Sequence, residues 1–261
     1  MIGRFYLGTH EPAWLGRTSV PLFVSHRRLS ERRRLPRALG AWALDSGGFT
    51  ELALHGRWAT SPAAYAVAVR RYRDEVGGLD WAAPQDWMCE PFMLARTGRD
   101  VTEHQRLTVW NYLELRDLAP DLPFVPVLQG WTGSDYLRCA DLYERAGVDL
   151  QEERIVGMGS VCRRQATGEI EVIAQALAAR GLHLHGFGVK TSGLARYAEH
   201  LVSADSLAWS LEARRTAALP GHPHRSCANC LPYALGWYAR ILERLRAVQL
   251  HLPVEVGGHG A

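Results

Sequence analysis

Lysine is almost missing from this chain. Lys190 is the only one, so arginine carries nearly all of the positive charge. Codon bias in a GC-rich genome gives such a skew. The net charge is only +3, which excludes a binder that is polybasic over its whole surface. Long apolar runs are missing as well. None approaches the roughly 20 residues a membrane-spanning helix needs, and the Met1–Gly8 run lacks the apolar stretch of a signal peptide. A cytoplasmic protein without membrane contact is expected. Cysteine is scarce and odd in number, at five. Cys89, Cys139 and Cys162 are scattered and read as small buried hydrophobes. Cys227 and Cys230 form a C-x-x-C, which in a cytosolic chain suggests a metal or redox pair and not a disulfide framework. No linker, low-complexity tract or charge block divides the chain, so one domain over residues 1–261 is expected.

A short β-rich run, a glycine or polar turn and then, usually, a helix recur along the 261 residues. The runs are Phe5–Gly8, Pro21–Ser25, Trp42–Gly47, Leu79–Asp86, Phe124–Gln129, Arg154–Ser160, Leu182–Val189 and Ser203–Trp209. Ser61-Pro62 reads as an N-cap with proline at N1, opening a helix that ends near Gly77-Gly78. Thr102 to Gln105 fits a capping box ahead of a helix to about Leu118. Ser134 to Gly147, Thr167 to Gly181 and Thr191 to Val202 follow the same cap-to-glycine plan. Eight strands alternating with helices imply a parallel sheet closed into an α/β (β/α)8 TIM barrel, whose usual length is about 250 residues. The first two connections are poor helices, so an open doubly wound sheet is the alternative.

In such a barrel the reactive residues sit at the C-terminal strand ends. Here those ends read Asp45-Ser46-Gly47-Gly48-Phe49, Asp86, Gln129-Gly130, Gly157-Met158-Gly159-Ser160, Gly186-Phe187-Gly188 and Asp205. Three carboxylates and an amide converge, with glycines that let a ligand approach the backbone. Without a histidine cluster, the set suits chemistry at an anomeric carbon more than a metal hydrolase. One carboxylate attacks the sugar and another moves protons. A third acid and an amide can read the edge of a base.

Asp45-Ser46-Gly47-Gly48-Phe49 resembles the D-S-G-G-F/Y motif of tRNA-guanine transglycosylases. Val127-Leu128-Gln129-Gly130, Gly157-Met158-Gly159 and Gly186-Phe187-Gly188 are similar to that family's later strand ends. Leu7-Gly8-Thr9-His10-Glu11-Pro12, Pro21 to Ser25, Ala204 to Ser210 and Cys227-Ala228-Asn229-Cys230 resemble its shorter DpdA-like branch, which modifies DNA with deazapurines. The resemblance implies Asp205 as the nucleophile of a covalent glycosyl-enzyme and Asp45 as the acid/base. It implies a guanine site of Ser46, Gly47, Asp86, Gln129 and the backbone of Gly157, Met158 and Gly159. The implied reaction replaces guanine in DNA by a 7-deazaguanine such as preQ0, and a partner protein that opens the duplex is compatible with it. The tRNA enzymes follow their nucleophile with C-V-x-P-T-R, whereas this chain has Ser206-Leu207-Ala208-Trp209-Ser210. Arginine (Arg225) also stands where the first cysteine of their C-x-C-x-x-C would fall. Both differences argue against tRNA as acceptor; the alternatives are the same chemistry on tRNA or a free nucleoside, or an inactive nucleic-acid-binding relative.

His222, His224, Cys227 and Cys230 offer four soft ligands within nine positions, enough to close a tetrahedral structural zinc site. His251 is an alternative fourth ligand. Residues 220–251 would then be a small zinc-binding element followed by a helix, Leu231–Gln249. Arg27, Arg28, Arg32, Arg33, Arg34 and Arg37 crowd one stretch. That is either a solvated face or a phosphate-backbone contact, with Arg32, Arg33 and Arg34 at its centre.

Overall fold

The computed structural model describes residues 2–162, 164 and 168–250. Its strands are β1 (Arg4–Thr9), β2 (Leu22–Ser25), β3 (Trp42–Asp45), β4 (Leu79–Ala82), β5 (Val127–Leu128), β6 (Val156–Met158), β7 (Leu184–Gly186) and β8 (Ser203–Ser206). All pair in parallel in one sheet ordered β4-β3-β2-β1-β8-β7-β6-β5. Each expected run therefore overlaps a strand. The sheet is curled, and its two edges touch at one isolated parallel bridge, Ala82 to Phe124. Ala82 N–H donates to Pro123 O at 2.9 Å and Val125 N–H to Ala82 O at 3.1 Å.

The helices are α1 (His26–Leu29), α2 (Gly48–His55), α3 (Pro62–Val76), α4 (Pro91–Thr97), α5 (Val101–Leu118), α6 (Gly133–Arg145), α7 (Gly168–Ala179), α8 (Thr191–Tyr197), α9 (Ala208–Arg215) and α10 (Leu231–Leu250). Ser61 caps α3 by accepting from Ala64 N–H, and Gly77 ends it. The capping box of α5 is Asp100 with Glu103, not Thr102 with Gln105. Gln105 is buried instead, and its amide donates to the Gln129 and Asp135 carbonyls at 2.7 Å each. Thr132, with Asp135, caps α6 in place of Ser134. The run to Trp209 is cut at Ser206, because α9 begins at Ala208. Likewise β4 stops at Ala82, which leaves Asp86 on the loop beyond it. Thr167 lies outside the described residues.

Side chains alternate along each strand, as the period of two requires. Phe5, Leu7, Leu22, Val24, Trp42, Leu44, Val156, Met158, Leu184 and Ala204 face outward and join the main core beneath the helices. Tyr6, Ala43, Trp81 and Ile155 form a smaller inner cluster, with Phe23 and Phe187 packed on it. Helix α10 covers the outside of β1. Its Trp237 and Tyr238 rings lie 6.2 and 6.0 Å from Phe5, and Tyr238 Oη donates to Phe5 O at 3.0 Å.

Candidate active site and metal centre

Period-two alternation also places the acids. Asp45 lies two residues beyond Ala43 on β3, and Asp205 two beyond Ser203 on β8, so both point to the inner face. There they line a cavity of about 240 Å³. Asp86, Gln129 and Gly159 line it too, reached from three further strand ends, with Phe49, Glu90, Ser160 and Phe187 among its other walls.

Two acids on this wall are pushed toward their neutral forms. Burial raises the Asp45 carboxyl, and the Asp205 charge adds to the rise, while the Gly47 amide and the Ser25 hydroxyl oppose it. Asp86 is pushed up to about 7, first by burial and then by the Asp45 charge, against hydrogen bonds from Gln129 and Ser46. Neutral groups hold Asp86 in place. Gln129 Nε2 donates to Oδ2 at 2.5 Å and Ser46 Oγ to Oδ1 at 3.2 Å. The amide of Gln129 is fixed at its other end by Ser160, whose hydroxyl lies 2.7 Å from Oε1. That hydroxyl accepts from Cys89 N–H at 2.8 Å and lies 2.9 Å from Glu90 Oε2. Ser160 is held at φ +54, the left-handed region that a non-glycine residue seldom enters. Asp205 is held differently: Gly188 N–H donates to Oδ1 at 2.8 Å, and His185 Nε2 lies 3.3 Å from the same atom.

The expected site residues divide. Asp45, Asp86, Gln129, Gly159 and Asp205 line the cavity. Ser46 acts through Asp86 from a buried position. Gly47 caps α2 at φ +81, a conformation that suits glycine. Gly157 and Met158 do not line the cavity. Met158 faces the main core, and a Cβ on Gly157 would stand 2.5 Å from the Phe187 ring. At Gly159 a Cβ would come within 2.3 Å of Gln129 Nε2, so glycine there is the condition for seating the amide. Glu90 and His185 are not among the expected site residues, and Ser160 is expected only as part of a strand end. Their roles come from long-range contacts that no local motif announces.

The arginine stretch behaves unevenly. Arg33 and Arg34 are exposed and Arg32 is half-buried. The Arg71 guanidinium donates to the backbone carbonyls of Arg32 and Arg33 at 2.9 and 3.1 Å, which fixes that turn. None of the three lines the cavity. Arg27 is nearer, its Cγ 2.7 Å from where a Gly47 Cβ would stand. Arg28 and Arg214 act on His10, a cavity residue whose ring burial first, and these two charges next, hold below the usual histidine range.

His222, His224, Cys227 and Cys230 place one ligand atom each within 4.8 Å of one another. His224 Nε2 is 3.1 Å from Cys227 Sγ, and His222 Nδ1 is 3.6 Å from Cys230 Sγ. Bond lengths of about 2.0–2.3 Å to a tetrahedral metal require ligand separations of roughly 3.3–3.8 Å, so the cluster could hold such an ion once its widest pair closes by up to about 1 Å. Both sulfurs are buried against Ala213 on α9. Ser226 Oγ donates to Ala213 O at 3.1 Å and Ser210 Oγ to Ala228 O at 2.8 Å. The loop is thereby tied to the helix that follows Asp205. His251, the alternative ligand, lies outside the described residues.

No curated protein matches the chain. The family model of DpdA, DeoxyPurine in DNA protein A, matches residues 1–256, nearly the whole length, and the chain belongs to that family.

Proposed function

We propose that this protein exchanges guanine in DNA for a 7-deazaguanine such as preQ0, through a covalent glycosyl-enzyme on Asp205. The observation that carries the reading is the meeting of Asp45, Asp86 and Asp205 on one cavity beside a fixed amide, Gln129. A cavity of about 240 Å³ falls below the roughly 300–1,000 Å³ of sites for drug-sized ligands and suits one flat base. The base must leave its stack to enter. Phe49, which lines the cavity, and Phe92, 5.7 Å from it, are both exposed and offer ring faces to such a base.

In this reading Asp205 forms a bond to C1′ as the C1′–N9 bond breaks. The electron pair goes to N9 of guanine, which takes the proton of the Asp45 carboxyl. The incoming base returns that proton to Asp45 from its own N9 and reverses the first step. The upward push on Asp45 supports its holding a proton to give. Asp86 accepts from N1–H and the 2-amino group, and Gln129 donates toward O6.

The same reading takes the curled sheet as a single (β/α)8 TIM-barrel domain, supported by the Ala82–Phe124 bridge. It takes the metal as zinc, in a closed structural shell of His222, His224, Cys227 and Cys230 that braces α9. It places the protein in the cytoplasm, where its DNA lies, with a helper that opens the duplex as a compatible partner. Among the described residues no helix is long and apolar enough to cross a membrane.

The deciding experiment incubates the protein with DNA, tRNA or guanosine plus preQ0, digests to nucleosides and identifies the product by mass. Deazapurine nucleoside from DNA alone supports the proposal. Product only from tRNA or guanosine reassigns the acceptor, and none from any acceptor favours an inactive binding relative. For the metal, Cys227→Ser or chelation should lower the melting temperature, because metal binding contributes to folding. Purified protein without bound zinc by elemental analysis ends the zinc assignment.

A further inference from the structure

The register of β7 on β8 sets His185 opposite Ser203, with Asp205 two residues further on the same face. His185 is wholly buried, boxed by the rings of Trp81 at 4.6 Å, Phe187 at 4.9 Å, Phe23 at 5.9 Å and Tyr6 at 6.0 Å. Its Nδ1 lies 2.8 Å from Ser203 Oγ, and its Nε2 3.3 Å from Asp205 Oδ1. An ionised carboxylate only accepts, so Nε2 carries the proton toward Asp205. In a neutral ring Nδ1 then accepts from the Ser203 hydroxyl. A relay of orientation runs Ser203 to His185 to Asp205, ending on the oxygen that Gly188 N–H also holds.

We propose that His185, set by Ser203, is the positioning residue of the nucleophile. It and Gly188 clamp Oδ1 of Asp205, and Oδ2, which takes part in neither contact, is the oxygen that bonds to C1′. The inference rests on the proposed role of Asp205. The four rings stop the imidazole from turning, so the direction of its N–H is fixed before substrate arrives, which is the condition for a preset attack angle.

The test measures exchange of isotope-labelled guanine into a DNA oligonucleotide, trapping of the covalent DNA–protein adduct, and DNA affinity. Four variants are compared: Asp205→Asn, His185→Phe, His185→Gln and Ser203→Ala. His185→Phe keeps a flat apolar filling but has no donor. It should slow adduct formation by about 10²-fold, the scale of an ångström-sized misplacement, with DNA affinity unchanged within about twofold. His185→Gln, which can present an N–H to Oδ1, should recover part of that loss. Ser203→Ala should slow the same step by several-fold and add little to His185→Phe in the double variant. Wild-type adduct rates in His185→Phe and Ser203→Ala, with Asp205→Asn inactive, overturn the positioning role and leave the nucleophile standing. Exchange that survives Asp205→Asn removes the nucleophile and this inference with it. Should His185→Phe fail to fold, wild-type rates in both His185→Gln and Ser203→Ala overturn the proposal, and reduced rates in both support it.

Discussion

The two ends of the inner face of the sheet both carry aspartates, and the chain treats them in opposite ways. At the N-terminal end stands Asp80, skipped in the pairing of β4 with β3, where Trp42 faces Leu79 and Ala43 faces Trp81. It is bonded by Arg4 and Tyr6 from β1, and by Arg154, just before β6, at 2.7 Å. Burial pushes its carboxyl up, but Tyr6, Arg154 and Arg4 outweigh that and hold it below the usual carboxylate range. At the C-terminal end Asp45, Asp86 and Asp205 share a cavity whose described lining residues include no arginine or lysine. Their hydrogen-bond partners are amides, hydroxyls and the His185 ring, and His10 and Glu90 share the wall. An acid paired with cations fastens elements together. Acids set against each other retain an unfavourable interaction that folding alone gives no reason to keep, which is the contrast the proposed catalytic role rests on.

The sharpest break of this contrast is Asp205→Asn. Exchange should fall by at least about 10³-fold, the order expected when a nucleophile is removed, while the melting temperature stays near that of the wild type. Near-normal exchange, measured by label entering DNA, would take the cavity out of catalysis.

Asp86→Ala comes next. Loss of a charged acceptor costs about 1.5–3 kcal/mol, so guanine and preQ0 affinity should drop about 10- to 100-fold with the fold intact. Acidity offers a second view. Only the ionised carboxylate accepts from both N1–H and the 2-amino group, so base affinity should weaken as pH falls below about 7. Stability should move the other way. A carboxyl raised from about 3.9 in the unfolded chain to about 7 in the fold favours the native state at low pH, and that help is lost as pH rises through about 7. Thermal melts of wild type and Asp86→Asn between pH 4 and 8 check this, because the neutral variant should gain on the wild type as pH rises. Equal melting temperatures at every pH would return Asp86 to an ordinary surface carboxylate.

Asp80→Asn is the opposite case. It should lower stability by roughly 1–2 kcal/mol, a discounted figure because Arg4 and Arg154 are 45% and 68% exposed. Exchange per folded molecule should not change. The contribution of Asp80 is present above the unfolded value near 3.9 and disappears as pH falls through the lower folded value. The wild type should therefore lose its advantage over Asp80→Asn in acid, and an advantage undiminished at low pH would break the contrast from its structural side.

How far this contrast could be read from sequence depends on the range of each interaction. The eight strands were legible because each β-rich run stops at a glycine or a polar group, and three acids at such stops pointed to the cavity. The His/Cys cluster was legible because its four candidate ligands fall within nine positions. Ser61, Pro62 and Gly77 bounded α3 by local rules alone. Those rules are also satisfied twice near α5, and Asp100 prevails over Thr102 because Gln105 is drawn inward to the Gln129 and Asp135 carbonyls. Helices α2, α4 and α9 were missed, since Gly48, Pro91 and Ala208 open them inside stretches that read as loop or strand. His185 was legible only as a strand-end histidine, with His10 too few for a metal hydrolase. Its meaning comes from the register of β7 against β8, and Asp80's from cations that precede β6 and open β1.

The smallest expected effect concerns how a polyanion reaches a mouth lined by acids. Among the described residues no arginine or lysine lines the cavity, so attraction for phosphates is sought in the arginines around it, whose planar fork suits them. Neutralising Arg32, Arg33 and Arg34 together should weaken DNA binding, flatten the slope of log affinity against log salt by up to about 2.7, at roughly 0.9 per lost phosphate contact, and leave exchange on a free nucleoside untouched. Arg32 is half-buried and its turn is fixed by Arg71, so the flattening should fall short of that bound. Arg27 leans on Gly47 and Arg28 bears on His10, which places both nearer the cavity. A phosphate beside the extruded nucleotide would meet these two first. Arg27→Ala with Arg28→Ala should therefore reduce adduct formation as well as affinity, whereas the outer triple variant changes affinity alone. An unchanged salt slope in both variants would make the whole stretch a solvated face and would strengthen the case for a free nucleoside as the acceptor.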